Sequence, residues 1–260
     1  TAGVTGAPTI STTATSTTGV GAATITAAAN NLAAANYSFS YANGTLTITK
    51  APLGIALAAT YNGTTTYTTG ISTSGLVNSE TITGITINNA NVANNSSNYI
   101  TGITAGTANL ANYALYSTAN TGSTGTLTGS VYAGTVSSNT NSGGTNKVTL
   151  SKAGLTVTAD DQSRVYGAAN PTLTYTISGY VNSENATTAG VTGAPTISTT
   201  ATSTTGVGIA TITAAANNLA ADNYNFSYAP GTLTITKATL TVTADNQTRV
   251  YGAANPTLTY

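Results

Sequence analysis

Residues 231–245 read GTLTITKATLTVTAD, and apolar residues alternate with Thr on both sides of Lys237. Because successive side chains of a β-strand point to opposite faces, this alternation is typical of half-buried strands. Thr, Val and Ile are branched at Cβ, which favours extended backbone over helix. The sequence therefore predicts two strands that meet at Lys237 without a Gly or Ser spacer, and the same pattern recurs at residues 45–49 and 155–159.

The chain repeats itself around these strands. Residues 1–50 return as residues 188–237 with four differences, and residues 151–175 return as residues 236–260. The stretch between 51 and 152 keeps the same skeleton at greater length. Self-similarity of this kind is typical of tandem modules. We predict four parts: the C-terminal part of one module (1–50), a complete longer module (51–152), a second complete module (153–237) and the opening of another (238–260).

Gly, Asn and Pro clusters separate the strand patterns at spacings typical of an all-β module. We expect small antiparallel β-sandwiches in an elongated array. The stretch from Leu219 to Tyr224 resembles the corner of immunoglobulin-like sandwiches, in which a Tyr hydroxyl bonds back to the preceding loop. An immunoglobulin-like sandwich is therefore favoured, and a β-grasp-like sheet is the alternative. We expect these pairs to point into the module cores, with the adjacent Thr residues facing solvent: Leu46/Ile48, Val148/Leu150 and Leu233/Ile235.

The composition argues against several function classes. The chain has no His, Cys, Met or Trp, so most side chains used for metal binding and proton transfer are missing. Six basic and six acidic residues give no net charge to attract nucleic acid. No apolar stretch reaches the length of a membrane-spanning helix. We therefore expect no enzyme, no catalytic, cofactor-binding or metal-binding residues, no cofactor, no nucleic-acid partner and no membrane span.

Some residues allow sharper hypotheses. The acidic residues Asp160, Asp161, Glu184 and Asp245 are too dispersed for a typical calcium loop. We expect a strand-edge ion pair between Asp160 and Arg164, and the same between Asp245 and Arg249. The lysines at the module junctions could form isopeptide bonds with Asn, but an exposed position is the simpler interpretation: Lys50, Lys152 and Lys237. The Thr-x-Thr runs resemble ice-binding ladders, yet they occur once per module, as a solvated strand face would. The many Asn-x-Ser/Thr sequons follow from the composition and leave glycosylation open.

Several long strings resemble a known family. VYGAANPTLTYTISGYVNSE (165–184) and NLAADNYNFSY (218–228) closely resemble the MBG domain of the YGX type. The module at 51–152, with Tyr61-Asn62-Gly63 and SGLVNSE (74–80), is similar to the YDG domain, although Asn62 replaces the central Asp of that motif. The resemblance implies tandem stalk repeats of large bacterial surface adhesins, including filamentous-haemagglutinin-like exoproteins. It implies no catalytic residues.

These observations favour a structural stalk or filament repeat of a bacterial extracellular adhesin, secreted to the cell surface and used for adhesion, cell–cell or biofilm contact. A carbohydrate- or mucin-binding module is the alternative. An enzyme such as a polysaccharide hydrolase would need paired carboxylates, whereas Glu80 and Glu184 are equivalent positions in different modules. The expected partners are neighbouring copies of the same repeat array and a glycan or host-cell surface.

The two terminal parts predict a further contact. Neither residues 1–50 nor residues 238–260 can bury a core alone, and each would expose unpaired strand edges. We expect the chain to be a window from something longer, in which a neighbouring copy completes both ends. Leu240 to Ala244 should then pair near Leu46 to Thr49. One continuous covalent chain is favoured, and strand donation between separate subunits is the alternative.

Overall fold

The computed structural model describes residues 3–95, 98–115, 126–128, 131–133 and 148–260. These residues form β-strands and two short 3-10 turns, at Val92–Asn94 and Leu110–Asn112. The strands up to residue 105 are β1 Thr9–Ser11, β2 Gly21–Ala28, β3 Gly44–Ile48, β4 Ala51–Thr60, β5 Thr66–Tyr67, β6 Ile71–Ser74, β7 Ile82–Ile87 and β8 Ile100–Ala105. The next strands are β9 Tyr113–Leu115, β10 Thr126–Thr128, β11 Val131–Ala133, β12 Val148–Ser151, β13 Ala153–Ala159 and β14 Gln162–Val165. The last strands are β15 Tyr175–Ser178, β16 Thr196–Ser198, β17 Gly208–Ala215, β18 Tyr224–Ala229 and β19 Gly231–Thr236.

The chain divides into two compact units. The first unit contains residues 1–153 together with two short segments of the next repeat, 181–184 and 222–224. The second unit contains residues 154–180, 185–221 and 225–260.

The first unit holds several small sheets. Residues 1–50 form the antiparallel sheet β1-β2-β3, whereas residues 51–152 form the sheets β12-β4-β6 and β5-β7-β8 and the hairpin β10-β11. Strand β9 also pairs with β4. The repeat 51–152 has its own apolar core, whose largest buried members are Leu53, Ile55, Leu57, Ile85, Ile87, Leu110 and Tyr113.

The second unit is built from two sheets that cover one core. Their strand orders are β15-β13-β18 and β14-β19-β17-β16. Val157 of β13 packs in the same cluster as Ile212 of β17 and Leu233 of β19. β13 and β14 follow each other directly in the chain but lie in different sheets. The opening segment of the repeat therefore contributes one strand to each sheet. The expectation of an all-β chain of small sandwich-like modules is confirmed.

The direction of some strands differs from the expected antiparallel pairing. In residues 153–237, β14 runs parallel to the closing strand β19. In residues 51–152, β4 runs parallel to the closing strand β12. Parallel pairing requires a long connection between the two strands, and here nearly the whole repeat lies between them. Alternation reports which face of a strand is buried but not the direction of its partner, so the sequence pattern did not reveal these pairs.

The predicted alternation is confirmed in the complete repeats. Val148, Leu150, Leu233 and Ile235 are buried, while the Thr residues between them are exposed. The prediction is wrong for Leu46, which is 37% exposed although its counterpart Leu233 is fully buried. The strands β1, β2 and β3 are the counterparts of β16, β17 and β19. Within the part of the chain that the structure describes, they pair with no counterpart of β14, so this core position remains uncovered.

We expect Ile235→Ala to lower the free energy of unfolding of the chain by about 2 to 4 kcal/mol, because it leaves a cavity between the two sheets. Thr234→Ser, on the exposed face of the same strand, should be nearly silent. Chemical denaturation monitored by circular dichroism measures both variants. An unchanged midpoint for Ile235→Ala would contradict the assignment of this residue to the core.

Candidate inter-repeat site

The string Val-Asn-Ser-Glu folds into the same tight turn at residues 77–80 and 181–184. The glutamate N–H donates to the valine carbonyl at 3.0 Å in both turns. Both central residues adopt positive φ, between 50° and 58°. This is the left-handed region, which costs a non-glycine residue energy unless its surroundings hold it there. Two consecutive left-handed residues form a compact turn that presents the glutamate side chain at its end.

A buried tyrosine binds each turn. Tyr224 is only 1% exposed. Its hydroxyl oxygen accepts the Val181 N–H at 3.1 Å, and the hydroxyl donates to Glu184 Oε2 at 2.5 Å. In the other repeat, the Tyr113 hydroxyl accepts the Val77 N–H at 3.0 Å and donates to Glu80. The phenol oxygen is therefore satisfied as both acceptor and donor, as a buried hydroxyl requires.

These bonds correct the predicted tyrosine corner. The hydroxyl was expected to bond to the loop just before the tyrosine. It instead reaches a turn 43 residues earlier for Tyr224 and 36 residues earlier for Tyr113. The reason is that the Glu carboxylate, at the end of its strained turn, offers a charged acceptor, which binds a hydroxyl more strongly than a neutral carbonyl does.

The asparagine before each tyrosine binds the preceding repeat. Asn223 Oδ1 accepts the Val92 N–H at 2.9 Å, and Asn223 Nδ2 donates to Asn91 Oδ1 at 2.9 Å. In the same way, Asn112 Oδ1 accepts the Val20 N–H at 2.9 Å. All of these residues belong to the first unit. The Asn-Tyr pair thus has two roles. Tyr forms hydrogen bonds to the turn of its own repeat, and Asn forms hydrogen bonds to a loop of the repeat before it.

The asparagine within each Val-Asn-Ser-Glu turn also forms a hydrogen bond to the preceding repeat. Asn182 Nδ2 donates to the Gly63 carbonyl at 3.1 Å, and Asn78 Nδ2 donates to the Ser16 carbonyl at 3.3 Å. We call residues 77–80 with 112–113 the Tyr113 site, and residues 181–184 with 222–224 the Tyr224 site. Each site joins its own repeat to the one before it.

Tyr61, from the YNG turn of the preceding repeat, completes the Tyr224 site. Its ring meets the Tyr224 ring edge to face, with 5.5 Å between centroids and 80° between planes. Its hydroxyl donates to Glu184 Oε1 at 2.6 Å, so the two oxygens of one carboxylate accept from two tyrosines. Burial and then the hydrogen bond to Glu184 raise the pKa of Tyr61 well above its ordinary value. The same causes, with Glu80 as the acceptor, raise the pKa of Tyr113.

The Tyr113 site has a cavity among its residues. The cavity has a volume of about 500 Å³, and its walls include Glu80, Tyr113, Ser16, Val20 and Thr49. The Tyr113 site therefore has the glutamate, the buried tyrosine and the asparagine bonds of the Tyr224 site, together with an open space beside the carboxylate.

The other candidate residues fall outside these sites. The residues that the structure describes contain no group of three or more His, Cys, Asp or Glu side chains able to hold a metal ion. Asp161 accepts the Thr232 hydroxyl at 2.8 Å and the Thr232 N–H at 2.7 Å, and these bonds lower its pKa. The three junction lysines are exposed: Lys50, Lys152 and Lys237.

The predicted ion pairs of the arginines are wrong. Arg164 is buried and donates to Asn170 Oδ1 at 2.8 Å and to the Thr202 carbonyl, while Asp160 accepts the Thr174 hydroxyl. A planar guanidinium has several N–H donors and can bond to oxygen acceptors in fixed directions. Arg164 therefore links two loops of the second unit through hydrogen bonds. Arg249 donates to the Ala253 carbonyl at 3.1 Å, and Asp245 accepts the Thr259 hydroxyl.

We expect Tyr224→Phe to destabilise the chain by about 1 to 3 kcal/mol, because it leaves the Val181 N–H and one Glu184 oxygen without their partner. Tyr37→Phe is the matched control, since Tyr37 is the counterpart of Tyr224 in residues 1–50 and is 61% exposed. Denaturant titration of the three proteins gives the comparison. Equal effects of the two substitutions would contradict the role of the Tyr224 site.

The raised pKa values predict a loss of stability at alkaline pH. The folded chain holds the phenolic protons of Tyr61 and Tyr113 more tightly than the unfolded chain does. Because of these two groups, the free energy of unfolding should not change with pH below about pH 10. It should fall as the pH rises above that value, because the unfolded chain then loses these protons first. Tyr61→Phe should make this fall less steep, because it removes one of the two phenols whose protons the folded chain retains. Identical slopes for Tyr61→Phe and the parent chain would contradict the burial of Tyr61 against Glu184.

The comparisons with known proteins agree with part of the resemblance. A family model described as MBG domain (YGX type) matches residues 155–234 and 240–260. No curated protein and no solved structure matches the chain. The two matched stretches cover the complete repeat that contains the Tyr224 site and the opening segment that follows it. Residues 155–234 are therefore similar to one MBG domain of the YGX type, and residues 240–260 are similar to the opening of a second one.

Proposed function

We propose that the chain is a structural stalk repeat of a bacterial extracellular adhesin, built to keep its length under tension. One observation carries this proposal. In both complete repeats, a strand of the opening segment runs parallel to the closing strand: β4 beside β12, and β14 beside β19.

Parallel pairing of these strands determines how a repeat responds to pulling. The chain enters a repeat at the start of the opening strand and leaves at the end of the closing strand, and these points lie at opposite ends of a parallel pair. Tension then slides one strand along the other, so the evenly spaced ladder bonds are strained together instead of being peeled one at a time. Such a pair raises the barrier to unfolding and so lowers the unfolding rate. This rate determines how a protein responds to a pulling force.

Other features support the same function. Glu184 and Asn223 tie one repeat to the preceding one, which limits slack between successive repeats. Only 5% of the residues are charged, and the chain lacks Cys and Met, the residues most easily oxidised outside the cell. No helix in the described ranges is long and apolar enough to cross a membrane. We propose an extracellular location at the bacterial surface, with residues 51–152 as a YDG-type repeat.

The exposure of the tyrosines favours a structural role over carbohydrate binding. A glycan-binding face would need several aromatic rings that stay exposed in a complete repeat. In residues 153–237, Tyr224 is buried and Tyr175, Tyr180 and Tyr228 are half-buried, whereas Tyr166 is 45% exposed. A single exposed ring offers a smaller stacking surface than such a face needs.

Force spectroscopy on the full chain tests the proposal. Because the chain contains no Cys, two cysteines can be introduced as unique handles. Handles at Lys152→Cys and Lys237→Cys load β14 and β19 in the sliding direction. We expect one sharp rupture that releases about 300 Å of contour length, the extended length of the repeat between the handles.

A second pair of handles supplies the control. Ala168→Cys and Lys237→Cys lie beyond the same end of β14 and β19, so pulling there peels the pair apart. We expect a clearly lower rupture force with these handles. Equal rupture forces in the two geometries, or a smooth extension from Lys152 and Lys237, would contradict a role in bearing tension.

A further inference from the structure

Two tyrosines from successive repeats meet at one carboxylate. Tyr61 and Tyr224 both donate to Glu184, and their rings pack edge to face. We propose that these three residues form a modification site, at which a one-electron oxidant joins Tyr61 to Tyr224 by a carbon–carbon bond. The product is a dityrosine, and it would link residues 51–152 covalently to residues 153–237.

The composition of the chain directs oxidation to tyrosine. Cys and Met are the side chains that most oxidants attack first, and the chain contains neither. It also lacks Trp and His, whereas it has 15 Tyr. The phenol ring is then the side chain from which an electron is most easily removed. Oxidising equivalents that reach the folded chain therefore collect on its tyrosines.

The positions of the two hydroxyls match those in the product. A dityrosine bond joins the ring carbons next to the hydroxyls, so the two hydroxyls lie close together beside the new bond. In the folded chain, Tyr61 donates to Glu184 Oε1 at 2.6 Å and Tyr224 donates to Glu184 Oε2 at 2.5 Å. Because both oxygens belong to one carboxylate, the hydroxyl ends of the two rings already lie side by side.

The two rings need only a small movement before they can be joined. Their centroids lie 5.5 Å apart, with 80° between the ring planes. The rings of a dityrosine lie closer together than this, and they accept a large angle between their planes. The ring edges must therefore approach each other, but no large rotation is required. Groups held together in this way react far faster than the same groups in free solution.

Glu184 supplies the proton acceptor that the oxidation needs. Burial and the hydrogen bond to Glu184 raise the pKa of Tyr61, so its phenol stays protonated at neutral pH. Loss of an electron makes a phenol strongly acidic, and its proton then passes to the hydrogen-bonded carboxylate. Glu184 is half-buried and returns this proton to water, after which it accepts the proton of the second tyrosine.

The reaction balances with two oxidising equivalents. Each hydroxyl loses one electron and one proton, which gives two phenoxyl radicals. Their unpaired electrons form the bond between the two ring carbons, and the hydrogen on each of those carbons moves to the adjacent oxygen. Both phenols are restored. The net change is two C–H bonds broken and one C–C bond formed, with two electrons transferred to the oxidant and two protons released to water.

Burial makes each of the two tyrosines the partner of the other. Tyr224 is 1% exposed and Tyr61 is 6% exposed, so neither ring is accessible to a tyrosine of another chain. An electron can pass over a short distance from a buried ring to an oxidant, so burial does not prevent radical formation. The two radicals therefore combine within one chain.

Photo-oxidation of the full chain with ruthenium tris(bipyridine) and persulfate tests this site. Persulfate takes up the two electrons and becomes two sulfate ions. At low protein concentration, we expect a product with the mass of one chain less two hydrogens. Trypsin cleaves after Lys and Arg, so Tyr61 lies in peptide 51–147 and Tyr224 lies in peptide 165–237. These peptides should be joined, and fragmentation in the mass spectrometer should locate the link at the two tyrosines. No link, or a link at other residues, would overturn the proposal.

Tyrosine substitutions give an independent test. Tyr61→Phe should lower the yield of the joined peptides about tenfold or more, because the remaining tyrosines are not held against Tyr224. Tyr99→Phe and Tyr228→Phe are the matched controls, since both residues are half-buried and lie in the same two peptides. They should leave the yield unchanged. Equal yields for Tyr61→Phe and the two controls would contradict the assignment.

A glutamate substitution tests the role of the carboxylate. Glu184→Gln should slow formation of the link about tenfold or more, because an amide is a very poor proton acceptor. Glu80→Gln, the same change at the Tyr113 site, should have no effect. An unchanged rate for Glu184→Gln would contradict the role of Glu184 as proton acceptor. The link needs only the contacts of this one site, so its outcome is independent of the mechanical test of the proposed function.

Discussion

The carboxylate of Glu184 is the group on which the connection between repeats depends. It accepts hydroxyl bonds from Tyr224 of its own repeat and from Tyr61 of the preceding one. A partly buried carboxylate is stable only when its oxygens are bonded, and two tyrosine hydroxyls supply those bonds without adding charge. The chain has six acidic residues in 260, yet two of them, Glu80 and Glu184, occupy this same position in successive repeats.

This interaction explains why the Val-Asn-Ser-Glu and Asn-Tyr strings recur together, and at Glu184 a third string takes part. The turn Val-Asn-Ser-Glu supplies the acceptor, the Asn-Tyr pair supplies the inner donor, and the Tyr of the YNG turn supplies the outer donor. The parallel pairing of β4 with β12 brings the chain to Tyr61 beside the end of the closing strand. The same parallel pairing therefore also positions the tyrosine that joins the next repeat.

Much of the fold could be predicted from the sequence, because alternation of Leu, Ile and Val with Thr reports directly which side of a strand is buried. It identified Val148, Leu150, Leu233 and Ile235 as core residues. Strand direction and the partner of Tyr224 could not be predicted, since both depend on contacts across most of a repeat. The repeated strings did indicate the site. VNSE occurs twice, and each time an Asn-Tyr pair occurs further along the same repeat. These strings give no distances between residues, so they could not show that Glu184 lies between two tyrosines. Arg164 was misassigned because an Asp four residues earlier suggested an ion pair, whereas burial favoured carbonyl acceptors.

The central claim is that Tyr61 and Glu184 interact directly across successive repeats. A double-mutant cycle with Tyr61→Phe and Glu184→Gln measures this interaction as the part of the unfolding free energy that is not additive. We predict a coupling energy of about 1 kcal/mol or more, because each substitution removes the partner of the other. Additive effects of the two substitutions, within the error of the measurement, would contradict the account.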